Sequence, residues 1–201
     1  MSETNNLTSN DANWPLYFKK TRNGATRENL VRAVELFEKE SFRGLCMDIG
    51  SGAGNDINYL LEKGWNVIAL DPEEKSQHII QERFSKCSNL QFTRANFKEI
   101  SWEMVDLMNC SYVLPFCEKE YFDTLMHKIV ANIKPGGRFS GNFFGPLHSW
   151  NHLYLVSREK ALNYFYHFDI EYIHEVKEHK ISALGDEVYF HNLDVVGRKK
   201  D

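Results

Sequence analysis

The spacing of apolar residues changes early in the chain from a helical period to short continuous runs. Leu30, Val34 and Phe37 fall at positions i, i+4 and i+7, which predicts an amphipathic helix with Thr26 as its N-cap. A glycine ends this helix, and the apolar run at 45–49 predicts a strand covered on both faces. These features indicate a parallel sheet flanked by helices.

The rest of the chain repeats this alternation of helices and strands and then changes character. Further helices are predicted at 55–63, after Pro72, at 118–133 and at 157–166, and further strands at 66–70, 90–94, 104–110 and from Gly137 to about 144. Two longer segments, 168–176 and 187–197, alternate in part and predict a hairpin at one edge of the sheet. Five β/α repeats followed by a hairpin are therefore expected.

Composition narrows the class of protein. The chain has 201 residues, 42% hydrophobic and 26% charged, which suits a single domain over 14–201. The polar segment 1–13 is expected to be disordered, and it predicts neither a signal peptide nor a membrane span. A net charge of −4 argues against a nucleic-acid partner. The four cysteines form no C-x-x-C pair and are expected to be reduced, which indicates a cytoplasmic setting. A monomer or a homodimer is expected.

Candidate chemistry is concentrated after the first two predicted strands. Three glycines stand at alternate positions after the first strand: Gly50, Gly52 and Gly54. Glycines let the backbone turn sharply after a buried strand and approach a ligand closely. Asp71 ends the second strand, where a carboxylate can hold the two hydroxyls of a ribose. The combination predicts a site for a nucleoside cofactor.

The spacing of the glycines separates two kinds of cofactor. A dinucleotide fingerprint, G-x-G-x-x-G, would place its third glycine at position 55, which is Asn55. The carboxylates of Asp48 and Asp56 would also repel a pyrophosphate. An adenosine cofactor with a cationic amino-acid tail, S-adenosylmethionine, fits this surrounding better than a nicotinamide cofactor does.

Four motifs in order resemble those of class I S-adenosylmethionine-dependent methyltransferases. They are D-x-G-x-G-x-G from Asp48, the acid Asp71, Ala95-Asn96-Phe97, and Lys134-Pro135-Gly136-Gly137-Arg138-Phe139. The segments 14–21 and 109–117 are similar to a bacterial small-molecule subgroup near the tellurite-resistance and thiopurine-type methyltransferases. The resemblance implies a doubly wound, Rossmann-like α/β fold: a seven-stranded sheet, mostly parallel, with an antiparallel C-terminal hairpin and the strand order 3-2-1-4-5-7-6.

The resemblance also implies which residues contact the cofactor. The glycine loop would line the methionine end, Asp71 the ribose, and Asn96 and Phe97 the adenine, while backbone after the fourth strand would contact the sulfonium. Asn96 replaces an acid that is common in the family, although its carbonyl can still accept a hydrogen bond. The full predicted set is Arg27, Asp48, Gly50, Ser51, Gly52, Gly54, Asp71, Pro72, Asn96, Phe97, Cys110 and Ser111.

Methyl transfer is an in-line displacement that mainly needs alignment and exclusion of water, so we assign no catalytic residue. The N-terminal segment 14–27 would fold over the cofactor as a lid, and Arg27 or Arg22 would hold its carboxylate. The expected acceptor pocket is lined by Tyr17, Tyr112, Phe144 and His148. His148 and His152 lack a third ligand, so no metal is expected.

The predicted activity is methyl transfer from S-adenosylmethionine to a small molecule through S, Se, Te, N or O. Two alternatives remain open at this stage. One is a protein or RNA methyltransferase that works with a partner, and the other is a protein that binds adenosylmethionine without catalysis.

Overall fold

Seven strands form one mixed sheet in the order β3-β2-β1-β4-β5-β7-β6, as predicted. The computed structural model describes residues 13–201. The strands are β1 (Leu45–Ile49), β2 (Asn66–Asp71), β3 (Leu90–Arg94), β4 (Val105–Cys110), β5 (Ile133–Phe144), β6 (Phe168–Ile181) and β7 (Glu187–Lys199). The first five are parallel, and β7 pairs antiparallel with both β5 and β6. The carboxyl ends of the parallel strands therefore meet at one edge, where ligands bind in such sheets.

Six α-helices within the described residues surround the sheet. They are α1 (Trp14–Thr21), α2 (Glu28–Lys39), α3 (Asn55–Glu62), α4 (Glu74–Phe84), α5 (Lys119–Ala131) and α6 (Arg158–Asn163), with a short 3-10 helix at Leu114–Phe116. The first of them begins with Pro15 in its opening turn, and the side chain of Asn13 accepts the backbone N–H of Leu16 at 3.1 Å. This N-cap fixes the residue at which helix α1 begins.

Two apolar layers cover the two faces of the sheet, which explains the continuous apolar runs of the inner strands. On one face α2 buries Leu30, Val34 and Phe37, the three residues whose spacing predicted it. On the other face α5 packs Phe122 and Leu125 against the strands. The strands are thereby held from both sides, and the loops at their ends carry the site.

An arginine is buried between the sheet and α2. Arg138 on β5 is 1% exposed, and its guanidinium bonds to Glu40 at 2.6 Å and to Glu171 at 2.7 Å. Its planar group also stacks on the ring of Phe37. A buried charge is tolerated only when it is paired in this way, so these contacts tie the end of α2 to β5 and β6.

Some predicted boundaries were wrong. Helix α2 begins one residue later than expected: Arg27, not Thr26, occupies its N-cap, and its backbone N–H donates to the Asp56 carboxylate at 3.3 Å. Strand β5 begins at Ile133, before the two glycines, because Ile133 pairs with Val105. The hairpin strands extend to 181 and 199, beyond the predicted 176 and 197, because pairing between the strands continues past the apolar positions. The expectation for residues 1–13 lies, apart from Asn13, outside the described residues.

Candidate active site

The loop between β1 and α3 follows a sharply turned path. Its three glycines, Gly50, Gly52 and Gly54, have φ angles of 77°, 53° and 79°. A Cβ at Gly50 would lie 2.4 Å from the side chain of Val113, so only glycine fits that approach. The N–H groups of Gly50 and Ser51 both donate to the Leu70 carbonyl, at 2.7 and 3.0 Å. The loop is therefore tied to the end of β2, where Asp71 lies.

Asp71 is held by two backbone amides. Its Oδ2 accepts the N–H of Gly52 at 2.8 Å, and its Oδ1 accepts the N–H of Glu73 at 2.9 Å. The side chain of Ser76 donates to the Gly52 carbonyl at 2.7 Å, which adds a second link between loop and helix. Burial raises the pKa of Asp71 to about 6. The carboxylate lines the cavity with its orientation already set.

A second acidic group lies behind the glycine loop. The amide nitrogen of Asn109 donates to Asp48 at 2.7 Å and to Asp56 at 3.2 Å, so it bridges the two carboxylates. Burial is the main cause that raises the pKa of Asp48, and the charge of Asp56 is the second. Burial also raises the pKa of Asp56. Asp48 is buried with Oδ2 unpartnered, whereas Asp56 lines the cavity. Asp56, the member of the pair that lines the cavity, is thus the one able to meet a cationic group.

Arg27 lies over an aromatic ring at the edge of the same cavity. Its guanidinium is 4.6 Å from the ring centre of Tyr112, and Nη2 donates to the Tyr17 hydroxyl at 3.4 Å. Within residues 13–201 no carboxylate forms an ion pair with it. Tyr112 has a φ of 55°, unusual for a residue with a side chain, and its N–H donates to the side chain of Asn142. An anionic group could therefore be received by Arg27.

The far end of the cavity contains the predicted adenine contacts. Asn96 and Phe97 both line it, and Phe97 packs at the edge of the apolar core. The side-chain oxygen of Asn96 accepts the N–H of Lys98 at 2.9 Å, and its N–H donates to Glu99 at 3.0 Å. These bonds form a local turn that holds Asn96 in place, and a carbonyl oxygen retains a second lone pair for a ligand.

The two residues that end β4 and follow it differ in exposure. Ser111 lines the cavity, and its hydroxyl donates to Asn109 at 3.1 Å. Cys110 is fully buried outside it, and burial raises the pKa of its thiol. A buried, protonated thiol is not a nucleophile.

Helix α1 and the β6–β7 turn together form a roof over the cavity. Phe18 packs on Ala53 and Ile79, beneath the helix. The amide of Asn55 donates to the Thr21 carbonyl at 2.6 Å at the end of α1. Lys20 donates to the carbonyl of Leu184 in the turn at 3.0 Å. Helix α1, the first part of the segment 14–27 that was expected to act as a lid, therefore contacts both sides of the cavity opening.

The cavity is partly open to solvent and has a volume of about 1280 Å³. That exceeds the roughly 300–1,000 Å³ of most small-ligand sites, so a cofactor and an acceptor fit together. Of the sixteen predicted residues, twelve line the cavity, and the other four do not: Asp48, Gly54, Cys110 and His148. His148 is stacked on Phe144, 3.8 Å between ring centres, on the side away from the cavity lining.

Several lining residues were missed by the sequence analysis, above all on the hairpin. They include His174, Val176, Phe190, Asn192 and Asp194. The signal that could have revealed three of them is the alternation of 190, 192 and 194, which places their side chains on one face of β7. The sequence analysis had located the hairpin at one edge of the sheet and had named no site residue on it.

Residues 13–201 contain neither a metal-binding cluster nor a membrane-spanning helix. No group of three or more His, Cys, Asp or Glu side chains is arranged to hold a metal ion there. Over the same range, no helix has the length and apolar character needed to cross a bilayer.

Comparison with known proteins agrees with this geometry. Residues 46–137 match a family model described as a methyltransferase domain. A comparison with curated protein sequences gave no significant match. Residues 46–137 therefore form a methyltransferase domain, and the sheet has the strand order of the class I methyltransferase fold; the chain is an enzyme with S-adenosylmethionine as its cofactor.

Solved structures share the fold at low sequence identity. TehB from Haemophilus influenzae is 18% identical with a TM-score of 0.76, over 92% of this chain and 66% of that one. The N-methyltransferase NodS from Bradyrhizobium japonicum, in complex with S-adenosylhomocysteine, is 15% identical with a TM-score of 0.71, over 94% and 100%. The 1,6-didemethyltoxoflavin-N1-methyltransferase of Burkholderia thailandensis is 21% identical with a TM-score of 0.64, over 87% and 79%.

The residues present fit this cofactor. Asp71 offers a carboxylate for ribose hydroxyls, and the glycine loop brings backbone close to the cavity. Asp56 and Arg27, linked by the hydrogen bond at the start of α2, provide one acidic and one basic group at the same end. A methionine tail carries one ammonium and one carboxylate, which this pair can meet.

Proposed function

We propose that the chain transfers a methyl group to a small molecule inside the roofed cavity. The observation that carries this proposal is the bridge across the cavity between α1 and the β6–β7 turn, where Lys20 donates to the Leu184 carbonyl. A partly covered cavity of about 1280 Å³ suits a cofactor and a small acceptor better than a segment of protein or RNA. Free cysteines throughout the described chain support a cytoplasmic setting.

The proposed division of the cavity follows its polar groups. Asp71, the glycine loop, Asn96 and Phe97 would hold the nucleoside, and Asp56 and Arg27 the amino-acid tail. Tyr17, Tyr112 and Phe144 would line the acceptor side, nearer the hairpin. Asp48 and Cys110 would act only by supporting the loop and strand from behind.

Bound S-adenosylmethionine supplies an electrophilic methyl group with a good leaving group. The chain's own residues then have to align the acceptor with that methyl group and exclude water. The roof and the aromatic lining meet both needs without an acid–base pair or a metal. A catalytic triad is not required for a transfer of this kind.

Titration calorimetry with S-adenosylmethionine, S-adenosylhomocysteine and, as a control, NADH tests the first part of the proposal. Micromolar binding of the two adenosyl compounds and no binding of NADH is expected. A screen for S-adenosylhomocysteine release with a thiol, an amine, a phenol, selenite and tellurite, and with a cell-protein fraction and total RNA as further arms, then tests the second part. Binding without release in any arm would favour a non-catalytic binding protein. Turnover only with protein or RNA would favour the partner-dependent alternative.

A further inference from the structure

Strand β7 presents three cavity-lining residues in a row. Phe190, Asn192 and Asp194 alternate along it and share one face, while Leu193 and Val195 face the core. The two strands that flank β7 also place polar residues beside Asp194. It is in register with Asn142 on β5 and with His174 on β6. A carboxylate is thus placed in the wall of the cavity between two polar neighbours.

A chain of hydrogen bonds fixes this carboxylate from the direction of β4. The N–H of Tyr112 donates to Asn142, whose amide nitrogen donates to Asn192 at 2.6 Å. The amide nitrogen of Asn192 then donates to Oδ1 of Asp194 at 2.8 Å. Every donor points the same way, and a carboxylate can only accept, so the relay sets the orientation of each amide. Asn142 and Asn192 are both buried, which makes the arrangement rigid.

The second oxygen of the carboxylate is left for a ligand. Oδ2 of Asp194 makes no hydrogen bond with residues 13–201, and the nearest basic atom, Nδ1 of His174, is 3.9 Å away. That separation is too long for a hydrogen bond. The side chain of Asp194 is only 17% exposed, and what is exposed faces the cavity.

Charged and titratable groups reach Asp194 from each neighbouring element. His174 comes from β6, Arg27 and Glu28 from the start of α2, and Tyr112 from the segment after β4. Tyr172 on β6 also interacts with it electrostatically. Among the described residues, the ion-pair contact of Asp194 is the one with His174 at 3.9 Å, and the imidazole carries a charge only when it is protonated.

Aromatic rings form the surface beside this carboxylate. Tyr112, Phe144, Trp150 and Phe190, here called the aromatic wall, all line the cavity. The centre of the Phe144 ring lies 6.0 Å from those of Tyr112 and Trp150 and 6.4 Å from that of Phe190. Phe144 is itself 1% exposed, so the half-buried rings of Tyr112, Trp150 and Phe190 packed around it provide the surface on which a flat molecule can stack.

We propose that Asp194 is the residue that selects the methyl acceptor, and that the acceptor is an aromatic or heteroaromatic molecule bearing an N–H or O–H group. The ring would pack on the aromatic wall while its N–H or O–H donates to Oδ2 of Asp194. The inference rests on the proposed function and narrows its acceptor class. A selenite or tellurite anion is disfavoured, because it offers no ring to the wall and its charge is repelled by Asp194.

A pair of probes that differ only in one N–H tests the inference without turnover. Benzimidazole carries the N–H, and 1-methylbenzimidazole does not. Calorimetric titration of the protein saturated with S-adenosylhomocysteine, at pH 7.5, should give at least tenfold tighter binding of benzimidazole. In Asp194→Asn the ratio should fall below threefold, because a neutral amide binds an N–H less strongly than a carboxylate does.

The control is the same substitution at Asp169, on β6 but outside the cavity lining, which should leave the ratio unchanged. A ratio near one in the wild type, no binding of benzimidazole, or an unchanged ratio in Asp194→Asn would each overturn the inference. Tighter binding of tellurite than of benzimidazole would overturn it as well. Because the wild-type ratio needs no variant, the test still decides if Asp194→Asn does not fold. Absence of S-adenosylhomocysteine binding would overturn the proposed function itself, and binding of S-adenosylhomocysteine separates the two failures.

Discussion

Replacing Asp71 with asparagine changes charge and hydrogen bonding with almost no change in shape. The carboxylate is 5% exposed and accepts one backbone N–H at each oxygen, from Gly52 and from Glu73. The amide keeps one accepting oxygen and presents an NH₂ group to the other donor. The variant should therefore lose one backbone contact as well as the charge that would hold a ribose.

The effect on cofactor affinity follows from the loss of hydrogen bonds to a charged group. Such bonds contribute about 1.5–3 kcal/mol. We expect S-adenosylhomocysteine to bind roughly ten- to a hundredfold more weakly to Asp71→Asn at pH 8, since 1.4 kcal/mol is a factor of ten.

The effect on folding has the opposite sign. Burial raises the pKa of Asp71 from 3.8 to about 6, a shift of about two units, so the folded protein is destabilised by about 3 kcal/mol when the carboxylate is charged. That destabilisation is fully present above pH 6 and is relieved as the pH falls from 6 towards 3.8. Removing the charge offsets the lost backbone contact, so the variant should stay folded at pH 8.

Two measurements check this reasoning. Calorimetry gives the affinity for S-adenosylhomocysteine between pH 5 and 8, and urea unfolding gives the stability of the same samples. Wild-type affinity should fall below pH 6, as Asp71 takes up a proton, and this component should be missing in the variant. Asp169→Asn, an exposed matched change, should behave like the wild type. Binding by Asp71→Asn within threefold of the wild type at pH 8 would refute the ribose role.

Two further predictions concern stability, each with a matched control and each measured by urea unfolding. Gly50→Ala should destabilise the fold by more than about 2 kcal/mol, since it adds a steric clash to an unfavourable φ; Gly185→Ala, with a φ of 103° and open space around it, should cost only the backbone term of about 1–2 kcal/mol. Equal losses would contradict the close approach of the loop. Arg138→Met should cost about 3 kcal/mol because it leaves Glu171 unpaired and Glu40 with Arg198 alone, whereas Arg198→Met, whose side chain is 45% exposed, should cost less than about 1 kcal/mol because Glu40 keeps Arg138. A small loss for Arg138→Met would show that its partners are solvated instead.

Features that depend on neighbouring residues along the chain could be predicted well. The i, i+4, i+7 spacing located α2, and the run at 45–49 located β1, because periodicity records which face is buried. The glycine loop and Asp71 were found for the same reason: sharp turns need particular residues, and the strand ends meet at one edge of a parallel sheet. The strand order came from the family resemblance, and the structure has it.

Features that depend on contacts between distant segments could not be predicted. Asp194 looks like an ordinary polar position on an alternating strand, and only the folding of the hairpin beside β5 brings it to the cavity. His148 was expected in the pocket, but stacking on Phe144 places it behind the lining. Arg27 became the N-cap residue because Asp56, far along the chain, accepts its N–H.

The difference between the features that could be predicted from the sequence and those that could not has a physical cause. Local propensity and hydrophobic period act within a few residues, so the sequence alone determined the helices from α2 onward, the inner strands and the cofactor loop, which together with the family resemblance gave the class of cofactor. The acceptor side of the cavity is built from α1, the segment after β4 and the hairpin, which are remote from one another in sequence. The shape and charge of this side depend on long-range packing and on the hydrogen-bond relay from Tyr112 to Asp194. Both were decided by the tertiary structure, because they join segments that are distant in sequence.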